Sequence, residues 1–242
     1  MIPLRDINPT RRLPIVTIAL IATNFIVFIY ELSLNDRALG DLILSAGVIP
    51  AQATRSFGPA VTRDLITSMF LHGGWVHLLS NMLYLWIFGN NIEDVLGPLR
   101  FTAFYLLCGI LASLAQVMVS ANSHIPLIGA SGAIAGVLGA YLVLFPQARI
   151  QSLVFVFYFV RFVEIPAVIV LGFWFFLQFF NGLASLSVPG IGGVAYFAHI
   201  GGFVTGIALI YLFRIGQRPG PPPRRRSRRH IIFQDEFPDL WE

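Results

Sequence analysis

The sequence predicts an all-α membrane protein, a bundle of six transmembrane helices with its site open to one side of the bilayer. Three observations carry that expectation. Of 242 residues, 56% are hydrophobic and 12% charged, where ordinary soluble domains hold about a quarter charged. The mean hydropathy is +0.76. Six stretches approach the roughly 20 apolar residues that a span requires, at 13–33, 76–96, 101–121, 130–145, 165–182 and 196–213.

Taken in order, residues 1–12 form a polar N-terminal segment and 13–213 the six-helix domain. The first span is too long for the apolar core of a cleaved signal peptide, and Glu31 stands where a small-residue cleavage site belongs. His77 and Asn81 open the second span four residues apart and share one helical face. The third contains Cys108, the single cysteine, which excludes disulfides and reads as packing. The fourth is short, which places its start in protein rather than lipid. It begins Gly129-Ala130-Ser131-Gly132, and the sixth begins Ala198-His199-Ile200-Gly201-Gly202, the histidine 68 residues after the serine. The fifth carries Phe173, Trp174, Phe175, Phe176, Phe179 and Phe180, either lipid-facing bulk or a removable wall against the second span near Trp86. Residues 183–195, with Pro189, Gly190, Gly192 and Gly193, have the backbone freedom of a lid.

All 16 basic residues are arginines. With the N-terminus inside, only Arg37, Arg55 and Arg63 fall outside, so the positive-inside rule puts both termini in the cytoplasm. The tail 214–242 is rich in arginine and proline. It reads as a solvated topological anchor with attraction for anionic lipid headgroups, and nucleic acid is not an expected partner.

In that orientation Ser131, His199, His77 and Asn81 all sit at the outer ends of their spans. Ionisable groups inside a membrane are functional candidates by default, and three segments deliver polar groups to one depth. Each also has a structural alternative. Gly132, Gly136 and Ala140 make a small-residue stripe suited to close helix packing, and Ala198, Gly202 and Gly206 repeat it. A serine beside a histidine can work as nucleophile and base, and Asn, His and a backbone N–H suit an oxyanion. His72 reads as ordering the outer loop, and His124 and His230 as loop and tail residues. Glu93, Asp94 and Glu164 fall near the inner face and Asp64 in an outer loop. No carboxylate matches the depth of the site, so the expectation is a Ser–His dyad.

These residues resemble the rhomboid family of intramembrane serine proteases. Gly129-Ala130-Ser131-Gly132-Ala133 is similar to its serine motif and Ala198-His199-Ile200-Gly201-Gly202 to its histidine motif. Phe70-Leu71-His72-Gly73-Gly74-Trp75-Val76-His77 with Asn81 resembles its second-span segment, and Gly89-Asn90-Asn91-Ile92-Glu93-Asp94-Val95-Leu96-Gly97 the turn that follows. The resemblance implies a six-helix bundle with an outward-open, water-filled cavity. It implies Ser131 as nucleophile and His199 as general base and acid. The Ser131 N–H with His77 and Asn81 would be the oxyanion donors, and single-pass membrane proteins the substrates. Thr62-Arg63 stands where many relatives have Trp-Arg. Ala135 stands where some carry an aromatic that stacks on the histidine.

No cofactor or metal is expected. A metalloprotease needs a pattern such as H-E-x-x-H, which is absent from the sequence, and a transporter would place charges or broken helices near mid-membrane. The alternative is a catalytically inactive rhomboid-like protein that binds membrane clients. The expected location is a bacterial inner membrane.

Overall fold

A computed structural model describes residues 1–156, 159–187 and 193–215. The tail from residue 216, with His230, and residues 188–192 of the expected lid lie outside the described residues.

The chain opens with strand β1 (Ile2–Asp6) and helix α1 (Ile15–Ser33). Short helices α2 (Asp36–Ala46), α3 (Pro50–Arg55) and α4 (Pro59–Thr67) and a 3₁₀ turn at Ser68–Phe70 follow. Helix α5 (Trp75–Tyr84) passes through a π turn at Leu85–Gly89 into α6 (Asn90–Leu96), so 75–96 is helical throughout. Then come α7 (Pro98–Val119), α8 (Ser131–Leu144), strands β2 (Arg149–Val156) and β3 (Phe159–Pro166), α9 (Ala167–Ser187) and α10 (Tyr196–Phe213). Helices α1, α7, α9 and α10 are long and apolar enough to cross a membrane, and α8 is a shorter apolar helix. The protein is therefore a mostly helical, multi-pass membrane protein. Helix α9 extends to Ser187, which takes 183–187 out of the expected lid.

The strands correct the all-α expectation. They form one antiparallel sheet in the order β1-β2-β3, with Ile2 paired to Leu153 and Asp6 to Ile150. Strand β3 runs back along β2 from Val156↔Phe159 to Arg149↔Pro166. Residues 146–164 read from sequence as a mere connection between spans; they pair locally as the β2–β3 hairpin, and the third strand comes from the distant N-terminus.

Two carboxylates, Glu93 buried and Asp6 half-buried, fix the sheet end of the bundle. Glu93 on α6 accepts from the backbone N–H groups of Val16 and Thr17 and from the Thr17 hydroxyl, each at 2.8 Å. It thus caps the α1 N-terminus, where unpaired N–H groups and the helix dipole favour an anion. Gly97, at φ 76°, ends α6 in a conformation that favours glycine, and Pro98 starts α7 at once. Asp6 accepts from the Tyr141 hydroxyl at 2.9 Å and from Asn91 Nδ2 at 2.6 Å, which ties β1 to α8. Burial pushes the Asp6 carboxyl up to about 6 despite these hydrogen bonds.

Helix α8 is the axis of the fold. From Gly132 to Tyr141 every residue is buried, as its short span anticipates. Its contact with α10 is backbone against backbone. A Cβ on Gly202 would collide with the Gly132 carbonyl oxygen, and one on Gly206 with that of Gly136. The two small-residue stripes of the sequence face each other.

Candidate active site

Ser131 is the first residue of α8. Gly129, two residues earlier, takes φ +117°, where only glycine is unstrained, and its N–H donates to the Ser68 carbonyl at 2.8 Å. That fixes the turn delivering Ser131. His199 lies in the first turn of α10, whose open N–H groups are met by α7: Gln116 Oε1 accepts from Phe197 at 3.0 Å and Ala198 at 3.2 Å. The glycine seam then sets the spacing of the two helices, and Ser131 Oγ stands 2.8 Å from His199 Nε2. The 68-residue gap in sequence closes to one hydrogen bond.

The other ring nitrogen is also engaged. His199 Nδ1 lies 2.8 Å from Gln178 Oε1 on α9. A carbonyl oxygen only accepts, so Nδ1 carries the ring proton and Nε2 is free to accept from the Ser131 hydroxyl; this tautomer follows from the partners. The Trp174 ring, on the same face of α9, has its centroid 5.9 Å from the imidazole at 36° between planes. Ala135 is wholly buried, and the ring beside the histidine comes from α9 instead.

His77 and Asn81 come to the same place. A Cβ on Gly129 would lie 2.6 Å from His77 Nε2 and 3.8 Å from Asn81 Nδ2, so both side chains cover the glycine turn that leads to Ser131. The Gly73 N–H donates to His77 Nδ1 at 3.4 Å, which leaves the neutral ring's proton on Nε2, the atom facing Gly129. His72 does more than order a loop. Its Nδ1–H donates to the Phe70 carbonyl at 3.3 Å, and its Nε2 accepts from Asn81 Nδ2 at 3.1 Å, so it aims the Asn81 amide nitrogen. Its backbone N–H is held by Glu31 of α1 at 3.1 Å.

Glu31 corrects the expectation that no carboxylate shares this depth. It is 3% exposed and accepts from the His72 backbone N–H, and His72 in turn bonds Asn81. Asp64 is paired with Arg63 at 2.7 Å, and His124 is exposed in its loop. Sequence reasoning missed Gln178, Gln116 and the contacts of His72 and Trp174. The available signal was a polar amide inside an apolar span, at Gln116 in the third and Gln178 in the fifth. A small cavity of about 20 Å³, enough for one water, is lined by Ser68, Ser113, Gly129, Ser131 and Ala198 among others.

A family model described as "Rhomboid domain" matches residues 59–215. The chain belongs to the rhomboid family. It is 35% identical over 149 residues to the Saccharomyces cerevisiae protein named "Rhomboid protein 1, mitochondrial", covering 60% of this chain and 40% of the yeast protein. It is 34% identical over 177 residues to "RHOMBOID-like protein 4" of Arabidopsis thaliana, covering 70% of this chain and 40% of that one. Against "Presenilin-associated rhomboid-like protein, mitochondrial" of Mus musculus the figures are 34% over 88 residues, 36% and 23%. The match thus spans less than half the length of each of these relatives.

Proposed function

We propose that this chain is an intramembrane serine endopeptidase that cuts single-pass membrane proteins in or near their spans with a Ser131–His199 dyad. The observation that carries the reading is the 2.8 Å hydrogen bond from Ser131 Oγ to a His199 Nε2 left free to take its proton. As the Ser131 oxygen attacks the scissile carbonyl, its proton passes to His199 Nε2. The carbonyl oxygen gains the negative charge and is met by the Ser131 N–H, His77 Nε2–H and the Asn81 amide. Collapse breaks the C–N bond, and the Nε2 proton goes to the leaving amine. Water then attacks the acyl-enzyme by the same route, giving its proton to Nε2 and releasing the acid while Ser131 takes that proton back.

In this reading the chain crosses the membrane six times, with 75–96 as the second span and α8 as a short fourth. The site opens to water on the side away from the sheet. The arginine distribution puts both termini on the inner side, and the tail meets lipid headgroups there. The relatives whose names place them in mitochondria do not fit the expected bacterial inner membrane, so orientation is the part of that expectation the proposal keeps. The chemistry uses no metal or cofactor.

Labelling with a fluorophosphonate probe, alongside cleavage of a single-pass membrane reporter, tests the reading. The unsubstituted protein is expected to label and cleave. Ser131→Ala and His199→Ala are each expected to lose at least about 10³-fold in rate with unchanged helical content. Labelling of Ser131→Ala at the full rate would move the nucleophile elsewhere. Absence of both activities in the unsubstituted protein would favour the inactive, client-binding rhomboid-like protein.

A further inference from the structure

From Ala167 to Phe180 the ninth helix is apolar except at Gln178. A primary amide in a membrane span is costly unless it is hydrogen-bonded, and among the described residues its carbonyl oxygen meets His199 Nδ1 at 2.8 Å. Trp174 stands one turn earlier on the same face, beside the same imidazole. His199 is thus held at both nitrogens by different helices, Ser131 of α8 at Nε2 and Gln178 of α9 at Nδ1. Glu31 is spent on the His72 N–H.

We infer that Gln178 is the positioning residue for His199, fixing the imidazole as its Nδ1–H tautomer and turning Nε2 toward Ser131. The catalytic consequence rests on the protease reading above; the tautomer rests on geometry alone. A neutral imidazole has one proton for two nitrogens, and only the Nδ1–H form can act as base toward Ser131. Without an acceptor at Nδ1 the proton is free to sit on Nε2, where it donates to Ser131 Oγ and blocks proton uptake. The amide does half of what a carboxylate would do in its place. It selects the tautomer and the ring plane, and it adds no negative charge to steady the imidazolium. His77 on α5, beside Gly129, is another titratable side chain at the site among the described residues. The neighbours from α8 and α9, Ser131, Gln178 and Trp174, are uncharged.

The test uses the full-length protein in lipid nanodiscs, with Gln178→Leu and Gln178→Glu beside the unsubstituted chain. Probe labelling of Ser131 is followed from pH 5 to 9, and the saturating rate is separated from the concentration that half-saturates it. Gln178→Leu is expected to lower the saturating rate by about 10- to 100-fold, the scale of a small misplacement of a reacting group, with the half-saturating concentration unchanged. Gln178→Glu puts a carboxylate against Nδ1. It is expected to restore most of the rate and to move the acid limb of the profile upward by about one pH unit or more. A residue that only supports packing would lower the amount of folded protein and leave the rate per folded molecule and the acid limb unmoved; that result overturns the inference. The ¹⁵N shifts of the His199 ring, assigned by their loss in His199→Gln, read the same point without catalysis. An Nδ1-protonated ring that persists unchanged in Gln178→Leu also overturns it. If the unsubstituted protein neither labels nor cleaves, the protease reading fails, and the ring shifts still decide the role of Gln178.

Discussion

Helix α10 has two neighbours that hold it in opposite ways. Against α8 it is locked through glycines, with Gly202 and Gly206 resting on the carbonyl oxygens of Gly132 and Gly136. Against α9 it is met by side chains, Phe175 on Phe203 at 4.8 Å and Trp174 and Gln178 on His199. The outer face of α9 is loosely covered, with Phe173, Phe176, Phe179 and Phe180 all exposed. The difference teaches how labour is divided in the site. Backbone contacts, which cannot repack, fix the distance from Ser131 to His199. Side-chain contacts, which can, fix the direction in which the imidazole faces.

Three measurements break or sharpen that contrast. The largest effect is expected from Gly206→Val, because its first carbon already meets a backbone oxygen and no rotamer relieves that. A loss of more than about 3 kcal/mol in thermal or denaturant unfolding in micelles is expected, at or beyond the usual range for overpacking. A small loss would mean that the seam is not rigid.

Next is Asp6→Asn, which tests whether the far end of α8 is pinned through Tyr141. The folded Asp6 carboxyl sits at about 6 against its ordinary 3.8, so the folded state holds the proton more tightly. Its favourable contribution is complete below 3.8 and lost as pH rises through about 6. Relative to Asp6→Asn, the unsubstituted protein should lose up to about 3 kcal/mol between pH 4 and 7.5, read as a pH-dependent gap between their unfolding midpoints. A constant gap would remove the linkage.

The smallest effect belongs to Phe176→Ala on the outer face of α9, where the ring is 53% exposed and touches Phe180 at 4.3 Å. Unfolding should change by no more than about 0.5 kcal/mol. A loss as large as that of Gly206→Val would show that the outer face of α9 is not loosely held.

Most of the helical framework was legible because a bilayer imposes long apolar runs. The sixth expected span, 196–213, coincides with α10, and the second differs by one residue at its start. Ser131, His199, His77 and Asn81 were legible as polar groups at matching depth. Depth carries no information about azimuth, however. It could not say that Gln178 turns toward His199 while Phe176 turns away, or that His72 reaches Asn81. Strand β1 was out of reach for another reason: five residues make no periodic signal, and their pairing lies with Leu153 and its neighbours.

That pairing has a consequence for how the molecule is made. Ile2 is synthesised long before its partner Leu153, which appears only after α8. Strand β1 must therefore remain single until helices α1 to α8 have been made. Its closure, with Asp6 reaching Tyr141, is a late, long-range step of the kind that slows folding. Any polypeptide that precedes β1 is consequently attached to a late-docking strand, and its bulk bears on the closure of the sheet.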